Sequence, residues 1–341
     1  MSQATEAAPS QAPLPPGRQR RKLFNVSEGG GAPVLVAPTL VVLAIVIGYP
    51  VVRAIWMSFQ KDPGLDKATG LFQQGGFAGV SNYTHWLLQQ CSTVGGGTTS
   101  CPQGTLGAEF WTAMSNTVMF TVISVVIEVL LGMWFAMIMH RSFKGRGLLR
   151  AAVLVPWAIP TAVTAKLFFF IFAFPGIANK LLHAHILWTG DAWPARFAVI
   201  SADVWKTTPF MALLILAGLQ VIPEDVYEAA KVDGASAWQR FTQITLPLVR
   251  PALMVAILFR TLDVLRIFDL PYILTGGGGG KGDATNTLSI LVISQIRQGF
   301  NSAAALSTIT FIFIFLVAFI FVRFLGANVV ETQDQQAKAA R

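Results

Sequence analysis

The chain has 341 residues, of which 53% are hydrophobic and only 12% charged, with a formal net charge of +8. Soluble domains use about twice that share of charged groups, so the balance excludes a soluble enzyme and puts most of the mass in lipid. The positive charge then belongs to the positive-inside rule and to anionic headgroups; no basic patch interleaved with aromatics supports a nucleic-acid partner.

Residues 1–30 form a polar tail rich in Pro, Gln, Ala and Gly, with a basic cluster at Arg18, Arg20, Arg21 and Lys22. Its composition predicts disorder. Basic residues so far from the start, and no small-residue cleavage site, make the first apolar stretch a retained span, with the cluster pinning this end to the cytoplasm. Span one is expected over 34–58, where about twenty residues at about 1.5 Å each cross a core of about 30 Å. Pro38, Gly48 and Pro50 should bend it, and Arg53 should snorkel outward.

Residues 60–109 are too polar for lipid and read as an extracytoplasmic loop holding the two cysteines, Cys91 and Cys101. Outside, a disulfide between them can persist and would contribute about 2–3 kcal/mol; two free thiols are the alternative. Spans two and three are expected at 110–139 and 151–174. The connection between them carries Arg141, Lys144, Arg146 and Arg150, which places it on the cytoplasmic side. Glu128 and Lys166 stand among apolar residues, where ionisable groups face a bundle interior, a partner or a cavity. Pro156 and Pro160 should break span three.

The connection at 175–196 contains Trp188 and Trp193, which suit an interfacial segment along the outer leaflet. His183 and His185 lack a third ligand, so no metal is expected. Span four follows at 197–222 and span five at 251–272. GGGGGKGDATN at 276–286 reads as a flexible outer loop, and its glycines lack the GK[ST] ending of a nucleotide loop. Span six is expected at 303–325 and a polar tail at 327–341, so that both termini lie in the cytoplasm.

Between spans four and five lies a polar island, residues 223–250. Val226, Ala229 and Ala230 cluster small or apolar groups while Glu224, Asp225, Glu228, Lys231 and Asp233 keep them wet, the pattern of a short amphipathic helix. Pro223 is expected at its start and Gly234 at its stop. Small side chains there let another protein approach closely.

Glu228, Ala229, Ala230, Asp233, Gly234 and Ala235, followed by Ile244, Leu246 and Pro247, resemble the EAA signature of the membrane-spanning subunits of bacterial ABC importers, in particular carbohydrate-import permeases. The likeness covers roughly 34–326 and is strongest over 200–275; VWKTTPF at 204–210, RTLD at 260–263 and RIFD at 266–269 are similar to permeases of the trehalose and maltose type. GVSNYTHW at 79–86 resembles that family's segment after the first span. The resemblance implies an all-α polytopic membrane protein: a MetI-like permease domain of six transmembrane helices over 31–326, with a cytoplasmic coupling helix within 223–250. In that family this helix sits in a groove of the ATPase, with Glu228 as a surface carboxylate and Gly234 as the turn. The resemblance also implies a second homologous permease, two ATPase subunits, an extracytoplasmic sugar-binding lipoprotein and a bacterial inner membrane. ATP and Mg would be bound by the partners; this chain has no Walker motif and by itself is not read as an enzyme. A disaccharide, trehalose ahead of maltose, is the expected cargo.

For a sugar path the apt residues are Trp205, Lys206, Asp203, Asp263 and Asn179, since sugars are held by aromatic faces and by side chains that satisfy hydroxyls. Asp263 would lie about 18 Å into span five by the helical rise. RTLDVLR also fits another reading, in which Asp263 pairs with Arg260 or Arg266 and Asp269 extends a ladder of salt bridges. Two other classes stay in view. A membrane-embedded enzyme would gather catalytic groups at one face, and a channel or ion-coupled transporter would show a filter or an inverted pair of broken spans.

Overall fold

The computed structural model describes residues 32–65, 70–93 and 97–323. The expected tails at 1–30 and 327–341 lie outside the described residues. The chain divides into two compact units, 1–52 and 53–341. In the first, the apolar run is helical over Ala32–Leu43, widens into a π turn at Ala44–Gly48, and resumes as the helix Tyr49–Ser58 that continues into the second. The π turn falls just before Pro50, whose ring removes an amide donor from the helical ladder.

Among the described residues, six helices are long and apolar enough to cross a membrane: Val36–Ser58, Phe110–His140, Thr161–Leu182, Ala192–Gln220, Ala237–Val264 and Phe300–Phe321. These are spans one to six. Two of them depart from the sequence expectation. Residues 151–158 belong to a separate helix, Arg146–Ala158; the chain then turns extended at Ile159 and Pro160 before span three starts at Thr161. The cause is local, since Pro160 disfavours helical geometry at the residue before it. Span five starts at Ala237 rather than 251, because Ser236 and Gln239 form a capping box that launches a helix through the polar stretch. It ends at Val264, so Asp263 stands in its last turn and not in its middle.

Span four is the most buried of the six and carries the core. Toward its start Ala198, Val199 and Ala202 meet Phe120, Phe168 and Val264, and toward its end Ala212, Ile215 and Leu219 meet Met133, Ala136 and Val249. Small residues let these helices approach, as in membrane bundles generally. A Cβ on Gly218 would come within 2.4 Å of the Ala252 Cβ, and one on Gly132 within 2.7 Å of the Met211 Cγ.

The 60–109 loop folds onto the start of span six. Its described parts contain three short antiparallel strand pairs and the helix Ser81–Leu87. Trp86 is fully buried and donates its indole N–H to the Ser302 carbonyl at 3.1 Å. The Asp62 carboxylate accepts from the backbone N–H of Asn301 at 2.6 Å and of Ser302 at 3.0 Å, which satisfies free donors of a helix start with a favourable charge. Cys91 and Cys101 are joined as a disulfide across the pair Gln90–Ser92 and Thr98–Ser100.

Two further expectations are corrected. Trp188 does not face outward: it is 8% exposed, packed on Phe172 and Phe197, and its indole N–H is taken by Asn179 Oδ1 at 2.9 Å, whereas Trp193 is 66% exposed. The loop at 276–286 is held rather than flexible. Lys281 N–H donates to the Gly190 carbonyl at 2.7 Å, Thr285 Oγ1 to the Gly279 carbonyl at 2.6 Å, and Asn116 Nδ2 to the carbonyls of Asp283 and Asn286. Glycine is needed here because Gly276, Gly277, Gly278 and Gly280 all adopt positive φ.

Candidate functional site

Two places gather the residues singled out from sequence. The first is the island between spans four and five. Pro223, in an extended conformation, precedes a helix over Glu224–Val232, with Glu224 and Asp225 in the first turn and Lys231 in the last, as the helix dipole favours. At its end Gly234 has φ +76, Ala235 N–H reaches the Ala230 carbonyl at 2.9 Å, and Gly234 N–H reaches that of Lys231 at 3.1 Å. This is a Schellman stop, which wants glycine at that position. Tyr227 and Thr245 share a hydroxyl hydrogen bond of 3.1 Å that ties the short helix to span five. The sequence pattern did not disclose that tie.

The outer side of this helix is open. Glu224, Asp225, Glu228, Ala229 and Asp233 are exposed, Ala230 and Ala235 partly so. Val232 is 88% exposed and Trp238 71%. Large apolar groups left in the open on a polar segment are the composition of a protein contact surface. A Cβ at Gly234 would meet nothing within 4 Å.

The second place is inside the bundle. Arg260 of span five, 2% exposed, donates to Glu128 of span two, to Asp203 of span four and to Asp263 on its own helix. Its Nη2 lies 2.8 Å from Glu128 Oε1, which also accepts from Thr207 Oγ1 at 2.6 Å. Among the described residues every ion pair centres on this guanidinium. The expected ladder through Arg266 and Asp269 does not form, since Arg266 donates instead to the Leu262 carbonyl. A planar fork with five N–H donors can serve several carboxylates at once, which explains why one arginine joins three spans.

The path candidates separate on geometry. Asp203 is buried in the cluster, whereas the Asp263 side chain is 66% exposed although Arg260 holds it. Lys206 Nζ donates at 2.5 Å to the Ile159 carbonyl at the break before span three, and its charge interacts with Asp263 and Asp203. Trp205 is 37% exposed, with its ring 5.5 Å from that of Phe168. Asn179 is different. Its amide donates to the carbonyls of Phe174 and Ile186 and accepts from Ile186 N–H and Trp188, so these neighbours consume all its polar capacity. Glu128, the residue the path reading left out, is the cluster's fully buried member. The only hint of it in sequence was a carboxylate inside an apolar run.

Six apolar spans and a short exposed helix before span five define a class: an all-α polytopic membrane protein. The sequence profile of the binding-protein-dependent transport system inner membrane component family matches residues 128–331, and the chain belongs to that family of ABC importer permeases. It is thus a multi-pass inner-membrane protein. It is 38% identical over 296 residues to the trehalose/maltose transport system permease protein MalF of Thermococcus litoralis, covering 85% of this chain and 92% of that one. It is 40% identical over 299 residues to the trehalose transport system permease protein SugA of Mycobacterium tuberculosis, covering 86% and 88%. In fold it is similar to a chain of a bacterial ABC transporter involved in the import of the acidic polysaccharide alginate, with a TM-score of 0.65 at 21% identity over 86% of this chain and 93% of that one.

Proposed function

We propose that this permease passes a disaccharide, trehalose ahead of maltose, into the cell as half of an ATP-driven importer. It pairs with a second homologous permease and with two ATPase subunits that bind ATP and Mg, and it receives cargo from an extracytoplasmic sugar-binding protein. The names of the two relatives support the cargo. The observation that carries the reading is the arrangement around Arg260. The charges of Glu128, Asp203 and Arg260 answer one another within the chain, while Asp263 and Trp205 stay exposed. A carboxylate that accepts from hydroxyls and an indole face for C–H surfaces suit a neutral sugar. Asp203 then supports the site from behind, Lys206 holds the break in place, and Asn179 drops out of the path.

Uptake by reconstituted vesicles across a sugar panel tests this. Trp205→Ala is expected to raise the KM for trehalose about tenfold, the equivalent of about 1.4 kcal/mol of lost contact, with the amount of assembled complex unchanged. An unchanged KM for every sugar would remove Trp205 from the path. A changed sugar preference in Asp263→Asn would favour the path, and a pure loss of complex would make Asp263 a structural ion-pair member only.

The orientation proposed is both termini inside, the 60–109 loop outside and the 224–232 helix inside against the ATPase, which moves it as ATP closes the nucleotide-binding pair. The basic connection Arg141, Lys144, Arg146 and Arg150 supports it. A membrane-impermeant maleimide should label Cys91 and Cys101 on intact cells only after reduction. Labelling that requires permeabilised cells would invert the topology.

A further inference from the structure

Lys166, the cation within the apolar run of span three, has no part in the cluster around Arg260. It is exposed, its Nζ lies 5.4 Å from the centre of the Phe169 ring, and among the described residues it makes no ion pair. An ammonium on a membrane-spanning helix needs an anion or a polar phase, and an aromatic face answers only part of its charge. Lys166 opens onto a cavity of about 420 Å³, which it shares with Ala162 one turn before it and with Tyr272, Ile273 and Gly276. Tyr272 brings a second cation. Its hydroxyl accepts from Arg297 Nη2 at 3.2 Å, and Arg297 is likewise exposed and makes no ion pair among the described residues. Asp269, on the same short helix as Tyr272, pairs with neither cation. The height of the cavity follows from its neighbours. Tyr272 and Gly276 lie beyond the end of span five at Val264, and Arg297 lies just before span six starts at Phe300. The cavity is therefore at an end of the bundle, level with headgroups, where the long stem of Lys166 can carry its charge out of hydrocarbon.

Two cations that share a phenol, beside alanine and isoleucine, want an anion that also carries an apolar body. We propose that this cavity binds the phosphate of an anionic phospholipid, with Lys166 and Arg297 as its charge partners and its acyl chains along Ala162 and Ile273. The Tyr272 oxygen accepts from Arg297, so its own O–H remains to donate to a phosphate oxygen. A neutral sugar would leave both charges unanswered. The wall of span three beside Lys166 favours lipid over a second protein: Val163, Leu167, Phe169 and Phe170 are exposed and bulky, whereas helix contacts in membranes select small residues. Basic pockets between spans at headgroup level are the usual seats of anionic lipids. Only the leaflet, the outer one, rests on the orientation proposed above.

Native mass spectrometry of the delipidated, assembled transporter in detergent, titrated with phosphatidylglycerol and separately with phosphatidylcholine, tests the site independently of orientation and of cargo. A Lys or Arg near a headgroup contributes about a factor of five in binding, so Lys166→Gln and Arg297→Gln should each weaken the tightest phosphatidylglycerol binding about fivefold, and together about 25-fold. Phosphatidylcholine, whose phosphate carries its own ammonium, should bind more weakly to the wild type and ignore both changes. Lys166→Arg should keep the wild-type affinity, which separates a lost charge from a disturbed fold. Lys144→Gln, in the basic connection after span two, should leave this binding unchanged. Equal phosphatidylglycerol affinity in the wild type and the double variant, or an equal loss from Lys144→Gln, would overturn the site. Full displacement of the lipid by millimolar inorganic phosphate would make it a free-anion site and defeat the lipid assignment. Loss of the second permease from the complex in Lys166→Gln, with lipid binding unchanged, would give the cation to that partner and defeat it as well.

Discussion

Arg260→Met is expected to leave little folded transporter in the membrane. The change strands Glu128, fully buried, and Asp203 without their shared cation. Removing one partner of a buried ion pair costs about 3–5 kcal/mol, a large share of a total stability of about 5–15 kcal/mol. Glu128→Gln should be milder, since the amide oxygen can still accept from Arg260, which keeps Asp203 and Asp263. Adding Glu128→Gln and Asp203→Asn to Arg260→Met should recover much of the lost protein, because the carboxylates that needed the guanidinium are then neutral. Fluorescence-detected size exclusion of each variant measures this. Wild-type yield and thermal stability from Arg260→Met alone would mean that water or another group reaches the carboxylates.

The other large effect concerns docking. Gly234→Trp is expected to lower ATP-driven uptake at least tenfold, equivalent to about 1.4 kcal/mol of docking energy, with an unchanged amount of permease in the membrane. Geometry separates two contributions. The left-handed backbone at φ +76 makes any side chain cost about 1–2 kcal/mol locally, yet the space around the Cβ is open, so the fold can absorb it. Gly234→Ala should therefore stay largely active, and the difference between alanine and tryptophan reports bulk pushed into the partner's groove. Glu228→Ala should fall between them, as an exposed charge at a contact changes association more than it changes the fold. Normal uptake by the tryptophan variant would sink the docking assignment.

The number of spans, the polar island and the polar 60–109 loop were legible in the sequence because each depends on local composition. A run of about twenty apolar residues must find lipid wherever the rest of the chain goes, and Gly234 after a short amphipathic run stops a helix by its own backbone freedom. Boundaries were less legible where two local signals competed. Pro160 splits the expected third span, and the Ser236 cap carries helix through polar residues that composition assigned to the island.

What only the tertiary structure decided is the pairing of groups far apart in sequence. An ionisable residue in an apolar run announces that it needs a partner and says nothing of which one. Glu128 and Arg260 are 132 residues apart and meet because spans two and five both pack on span four, through contacts as close as Gly132 on Met211 and Gly218 on Ala252. Asn179 reads in sequence as a good sugar ligand, and its hydrogen-bonding capacity turns out to be consumed by Phe174, Ile186 and Trp188. Whether a polar side chain is free to act depends on which backbone and side-chain groups the folded chain brings within about 3 Å of it, and local pattern carries no record of that.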